Sequence, residues 1–202
     1  MTRLIGLTGK SGAGKGAVCS IFKKHGFPVI DADRVYHEML QESNACTSEL
    51  ISAFGCGIAT ENGGVDRKAL SRAVFASEDV QSALHTLNGI THKYIMANVK
   101  ELLLEYGKKG ASAVVFDAPQ LFEAGADHLC DVILGIIAED DVCVQRIIER
   151  DGIDEQTARR RLAAQHDNAF FKERCDAVIE NNYRDIQPLS LEVCHFIETL
   201  GV

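Results

Sequence analysis

The feature that most limits the fold is an eight-residue segment, Gly9-Lys10-Ser11-Gly12-Ala13-Gly14-Lys15-Gly16. A short apolar run at 4–7 precedes it and a helix-patterned stretch at 15–24 follows. Glycines let backbone N–H groups turn inward onto an anion without interference from Cβ. The helix behind adds partial positive charge at its N-terminus. The segment matches G-x-x-x-x-G-K-[ST] at every position but the last, and Lys15 stands where an ammonium reaches the β- and γ-phosphates of a nucleotide. Ser11, Gly12, Ala13, Gly14, Lys15, Gly16 and Ala17 are therefore candidate ATP-binding residues. The alternative is a glycine-rich strand-to-helix turn carrying an incidental lysine. Gly16 departs from the pattern: the usual serine or threonine there sets its hydroxyl on Mg²⁺, and glycine has none.

Short apolar runs at 28–30, 113–116, 132–137 and 177–179 read as four further strands. Helical patterns alternate with them at 15–24, 140–150, 154–165 and 186–199. Such alternation implies an α/β fold, a five-stranded parallel sheet flanked by helices. The helical stretch from about 33 to 106 is too long for a simple crossover and reads as an inserted substrate lobe. A glycine-rich loop at 55–64 interrupts it.

With 202 residues the chain suffices for one α/β domain with an insertion. A net charge of −8 argues against a surface that tracks nucleic acid, though it leaves room for a small basic phosphate pocket. Seven cysteines at irregular spacing include no CxxC pair, which speaks against a zinc ribbon and a disulfide framework. Reduced thiols suit a cytoplasmic protein. No leader-like or membrane-spanning apolar run is present, so no membrane partner is expected.

Asp31 and Asp33 follow the second strand. Carboxyl ends of strands are where ligands bind in open α/β sheets, and a carboxylate there can accept the proton of an attacking hydroxyl. Helix capping is the level alternative, and one aspartate can cap while the other faces substrate. Asp117 ends an apolar strand, as does a carboxylate that supports Mg²⁺; a strand-end residue bonded to loop backbone is the alternative. Arginines 146, 150, 159, 160 and 161 either form a solvated helical face or neutralise a transferring phosphoryl group. Of these, Arg146 comes first and Arg150 second. Histidines 25, 37, 85, 128 and 166 show no metal-ligand spacing.

Taken in order, LIGLTGKSGAGKG, FPVIDADRV, VDRKALSRAVF, THKYI, VVFDAPQLFEAG, RRLAAQ and DAVIENN span nearly the whole chain. Jointly they resemble the dephospho-CoA kinase family of P-loop kinases. The resemblance implies one domain over 1–202. Its core would cover about 1–33, 112–140 and 175–202, its helical acceptor lobe about 34–111, and its small helical lid about 141–174. The implied reaction moves the γ-phosphate of ATP, with Mg²⁺, to the ribose 3′-hydroxyl of dephospho-CoA.

Among the implied roles, Asp33 is the catalytic base, Lys15 and Arg146 meet the phosphates, and Asn181 lies near the adenine. His92, Arg161 and Gln165 fall with Asp33 on the acceptor side, and Asp117 supports the metal, through water if need be. Lys93 and Gln120 depart from the family's usual proline and leucine. The expected partners are small molecules, with the chain a monomer or weak homo-oligomer. Two rival readings are a nucleoside-monophosphate type of P-loop kinase and a weakly active ATP-binding regulatory homologue.

Overall fold

Leu4, Ile5 and Leu7 are each 2 % exposed or less, as a strand covered on both faces requires. They belong to β1 (Arg3–Gly9), the middle strand of the sheet. The computed structural model describes residues 2–201. Around β1 lie β2 (Val29–Asp31), β3 (Ala113–Asp117), β4 (Val132–Ile137) and β5 (Ala177–Glu180), in the order β2-β3-β1-β4-β5. β1 pairs in parallel with β3 and with β4, and β4 in parallel with β5. The expected α/β class, a five-stranded parallel sheet flanked by helices, is the observed one.

The helices are α1 (Lys15–Lys24), α2 (Ala32–Met39), α3 (Ala45–Phe54), α4 (Arg67–Phe75), α5 (Val80–Lys108), α6 (Asp140–Asp151), α7 (Glu155–Ala163), α8 (Asn168–Arg174) and α9 (Ile186–Leu200). Two compact units divide the chain. One contains the residues up to Ile30 and those from Leu103 onward; the other is Asp31–Leu102. The first holds the sheet core, where Ile5, Leu7, Val18, Phe22, Leu134 and Ile136 pack together. The second has its own core, including Leu40, Leu50, Ile58, Leu70 and Val74.

Where sequence and structure differ, polar contacts account for it. β1 runs on to Gly9, past the apolar run, because Thr8 and Gly9 pair with Gly135 and Ile136 of β4, and the hydroxyl of buried Thr8 donates to Pro119 O at 3.3 Å. α8 has too few apolar residues to show a period. It rests on its cap, Asp167, whose carboxylate accepts from Phe170 N at 2.9 Å. α5 runs unbroken through Lys93. A proline there would remove a helical N–H, whereas Lys93 keeps it and reaches Glu49 on α3 at 2.8 Å. Among the described residues no helix is long and apolar enough to cross a membrane.

Topology marks one crevice. The chain leaves β1 for β2 and β3 on one side, then returns for β4 and β5 on the other. The carboxyl end of β1 is therefore the switch point at which open α/β sheets bind ligands. The glycine-rich loop begins there.

Candidate active site

The loop and α6 are built against each other. Gly12 has φ +79, and a Cβ on it would lie 2.5 Å from Cys143 O in α6. Gly14 has φ +103, and its Cβ would lie 2.3 Å from Asn181 Nδ2. These two glycines meet both demands, a left-handed backbone and a close neighbour. Buried Asn181, at the exit of β5, donates to Ala13 O at 2.7 Å. Lys10 Nζ, also buried, pairs with Asp140 Oδ1 at 2.5 Å, tying the loop to the first turn of α6.

Arg146 projects from α6 onto three carbonyls. It donates to Gly12 O at 3.2 Å, Asn181 O at 2.9 Å and Tyr183 O at 2.6 Å. A charged donor bonded to a neutral carbonyl contributes about 1.5–3 kcal/mol, so the set holds the loop, α6 and the segment after β5 in register. No carboxylate pairs with Arg146 among the described residues, and its positive charge remains available to an anion at the loop. α6 and the segment after β5 line a cavity of about 730 Å³, with Asp141, Gln145, Arg146, Glu149, Tyr183 and Arg184 on its walls. That volume is in the range of small-molecule sites.

Inside the loop, Lys15 Nζ donates to Gly9 O at 3.1 Å. Asp117, at the end of β3, accepts from Cys19 Sγ on α1 at 3.3 Å. Burial, followed by the neighbouring Asp117 charge, pushes the Cys19 thiol well above its ordinary pKa. It therefore stays protonated and donates. Gly16 is exposed, and a Cβ on it would meet nothing within 4 Å.

Arg150 of α6 and Gln165, in the turn after α7, converge on Ser11. Gln165 Oε1 accepts from Ser11 N at 2.8 Å, and Arg150 Nη2 approaches Ser11 Oγ at 3.4 Å. Arg161 Nη1 binds Asp151 Oδ2 at 2.5 Å, and Arg150 Nε binds Asp151 Oδ1 at 2.7 Å. Gln165, grouped on sequence grounds with the acceptor residues, thus touches the phosphate loop. Arg159 is paired with Asp141 and Glu155 on the exposed surface.

In the unit Asp31–Leu102, the two aspartates divide their tasks. Asp31 caps α2, its Oδ1 accepting from Arg34 N at 3.0 Å. Asp33 lies in the first turn of α2 and is exposed. Its carboxylate has no hydrogen bond or ion pair among the described residues. His92 sits half-buried on α5, and burial holds its imidazole below the usual pKa.

Together with the loop the structure therefore gathers Ser11 to Ala17, Asp117, Arg146, Gln165 and Asn181 in one unit, and places Asp33 and His92 in the other. Sequence reading missed Lys10, Asn182 and Tyr183. Lys10 occupies a position that the loop pattern leaves open. Tyr183 enters through its carbonyl and Asn182 through a bond to Glu139 N at 2.8 Å; backbone partners leave no side-chain signature.

A family model described as dephospho-CoA kinase matches residues 3–186. The chain belongs to the dephospho-CoA kinase family. A dephospho-CoA kinase from Fusobacterium nucleatum is 38 % identical over 197 residues, covering 98 % of each chain. Among solved structures, the Thermus thermophilus protein TT1252 has a TM-score of 0.77 at 26 % identity, over 100 % of this chain and 98 % of that one. A dephospho-CoA kinase from Campylobacter jejuni has a TM-score of 0.70 at 25 % identity, over 100 % of both. As a member of a kinase family, the chain takes ATP as its phosphoryl donor.

Proposed function

We propose that this protein transfers the γ-phosphate of ATP to the ribose 3′-hydroxyl of dephospho-CoA, giving ADP and coenzyme A. The observation that carries the reading is the family match over 3–186, which takes in both the phosphate loop and the acceptor segment.

The loop amides from Ser11 to Ala17 and the Lys15 ammonium hold the triphosphate. The adenine occupies the cavity beside Arg146 and Tyr183, with Asn181 close by in sequence and tied to the loop at Ala13 O. Lys15 and Arg146 offset charge on the phosphoryl oxygens. Asp33, open and unbonded, accepts the proton of the 3′-hydroxyl as it attacks. Because Asp31 already serves as the cap, Asp33 is free of structural duty. His92 lies on the acceptor side. The segment 141–174 serves as a lid over ATP, with Arg161 and Gln165 at its far end, and its closure excludes water as a competing acceptor.

Among the described residues no group of three or more His, Cys, Asp or Glu is placed to hold a metal. Magnesium needs none, because one or two carboxylates, nucleotide phosphates and water complete its shell. Asp117 would supply that carboxylate, directly or through water, and at Gly16 water would take the place of the missing hydroxyl. Bound there, Mg²⁺ would neutralise charge on the β- and γ-phosphates.

The test is an ADP-release assay at saturating Mg²⁺ with dephospho-CoA, with a nucleoside monophosphate, and with no acceptor. ADP formed only with dephospho-CoA is the expected result. Equal rates with the monophosphate would replace the acceptor assignment. Binding of ATP without ADP release would favour the regulatory reading that Gly16 motivates.

A further inference from the structure

In the unit Asp31–Leu102, α2 carries Asp33 and, one turn on, His37. Four helical steps carry the chain from one to the other, about 6 Å along the axis, and put both on one face. His37 Nδ1 lies 3.1 Å from Arg67 Nη1, at the start of α4. A guanidinium can only donate, so this contact requires the lone pair of a neutral imidazole. Arg67 is thereby held by a neutral partner, with its charge intact.

Two cavities share Arg67. One, of about 430 Å³, has Leu40 and Val65 as its apolar floor and His37, Asn62 and Arg67 on its polar wall, with Glu42 beside them. The other, of about 800 Å³, is bordered by Val65, Asp66, Arg67, Lys68, Ser71 and Arg72. The nearest acid in sequence, Asp66, is occupied as the cap of α4, accepting from Lys68 N at 2.8 Å and Ala69 N at 3.3 Å. Among the described residues Arg67, Lys68 and Arg72 form no ion pair. Arg34, Arg150, Arg161 and Arg174 each form one and Arg159 forms two. Asp66 also lines the larger cavity, and its charge is felt by Lys68 and Arg72. Three cations therefore face one carboxylate there, and the local balance is positive in a chain of net charge −8, which favours an anion.

We propose that Arg67, positioned by His37 and assisted by Lys68 and Arg72, binds the 5′-diphosphate of the nucleotide acceptor. This rests on the function proposed above, in which Asp33 receives the ribose 3′-hydroxyl. In such an acceptor the 3′-oxygen and the 5′-diphosphate are separated by the sugar and one methylene. That span suits the one-turn offset between Asp33 and the His37–Arg67 pair. A guanidinium offers the forked donors that bind phosphate oxygens in pairs.

The experiment measures kcat and KM for ATP, for dephospho-CoA and for adenosine, an acceptor with the 3′-hydroxyl but no phosphate. It compares the wild type with Arg67→Met, Arg67→Lys, Arg72→Met and the charge control Lys100→Met, beside calorimetric binding of dephospho-CoA. In Arg67→Met, KM and Kd for dephospho-CoA should rise roughly 10- to 100-fold, the loss of charge-assisted hydrogen bonds. KM for ATP and for adenosine should stay within about twofold, a range well below that loss. Arg67→Lys should recover part of the affinity, and Lys100→Met should match the wild type. Should Arg67→Met not fold, Arg72→Met carries the same comparison with a smaller rise. An unchanged KM for dephospho-CoA in a wild-type-like turnover assay overturns the diphosphate site alone. An equal loss for adenosine also overturns it, as a general defect. If the wild type makes no coenzyme A, the kinase reading and this site fall together.

Discussion

The two units treat their functional polar groups in opposite ways. Around the phosphate loop they are buried and bonded: Lys10 and Asn181 are each 4 % exposed, and Arg146 is engaged by three carbonyls. In the unit Asp31–Leu102 they are open: Asp33, His37 and Arg67 are exposed, and Asp33 has no bonded partner among the described residues. The first arrangement is preorganised, so its hydrogen-bond geometry is set before the nucleotide arrives and little ordering cost remains. On the function proposed above, the second leaves its charges for the acceptor to satisfy. A triphosphate is the same in every cycle and suits a rigid nest. An acceptor must enter and leave with its leading hydroxyl oriented afresh each time.

The largest effects should separate the two regions. Lys15→Ala should lower turnover by roughly 10²- to 10³-fold, as loss of a preorganised donor does, and should weaken ATP binding as well. Asp33→Asn should cut turnover by roughly 10²-fold or more while leaving ATP affinity near the wild-type value. Nucleotide titration beside ADP release reads both. If Asp33→Asn weakened ATP binding as much as Lys15→Ala, the division of tasks would be wrong. Near-normal turnover in Asp33→Asn would remove it as the base.

A smaller effect probes how complete the nest is. Gly16→Ser has room for its side chain and supplies the hydroxyl that the loop lacks. Mg·ATP affinity should rise by roughly fivefold, the contribution of one added polar contact. Titration of Mg²⁺ at fixed ATP measures it, and equal or poorer affinity would count against the role given to Gly16.

The smallest effect concerns His92, whose folded pKa is lowered by burial from an ordinary value of 6.5. The sign follows from proton binding. Above 6.5 the ring is neutral in both states and makes no pH-dependent contribution. As pH falls below 6.5 the unfolded chain takes up the proton first, so stability is lost until the folded-state pKa is reached. His92→Gln should flatten this limb of the stability curve. Chemical denaturation from pH 7.5 to pH 5 reads it, and an unchanged slope would show that the ring is hydrated.

Much of the phosphate side was legible because its chemistry is local. A left-handed glycine, an inward amide and a lysine one position later are all features of contiguous chain, and the parallel sheet follows from alternating buried runs. The strands at 113–116 and 132–137 were visible as apolar runs for the same reason. Capping at Asp31 was one of two open readings for the aspartate pair, and the contact with Arg34 N places it there. What escaped were contacts made by backbone atoms or across long separations. Tyr183 O on Arg146 and Lys10 on Asp140 join residues 37 and 130 positions apart.

By itself the sequence determined the fold class, the glycine-rich loop between β1 and α1, and the family, since each is written in contiguous residue types and their order. Only the tertiary structure decided that Arg146 clamps three carbonyls, that Gln165 meets Ser11, and that Arg67 leans on His37. Those facts depend on which distant groups come within 3 Å or so of each other. Charge and spacing along a chain do not specify that until the core has packed.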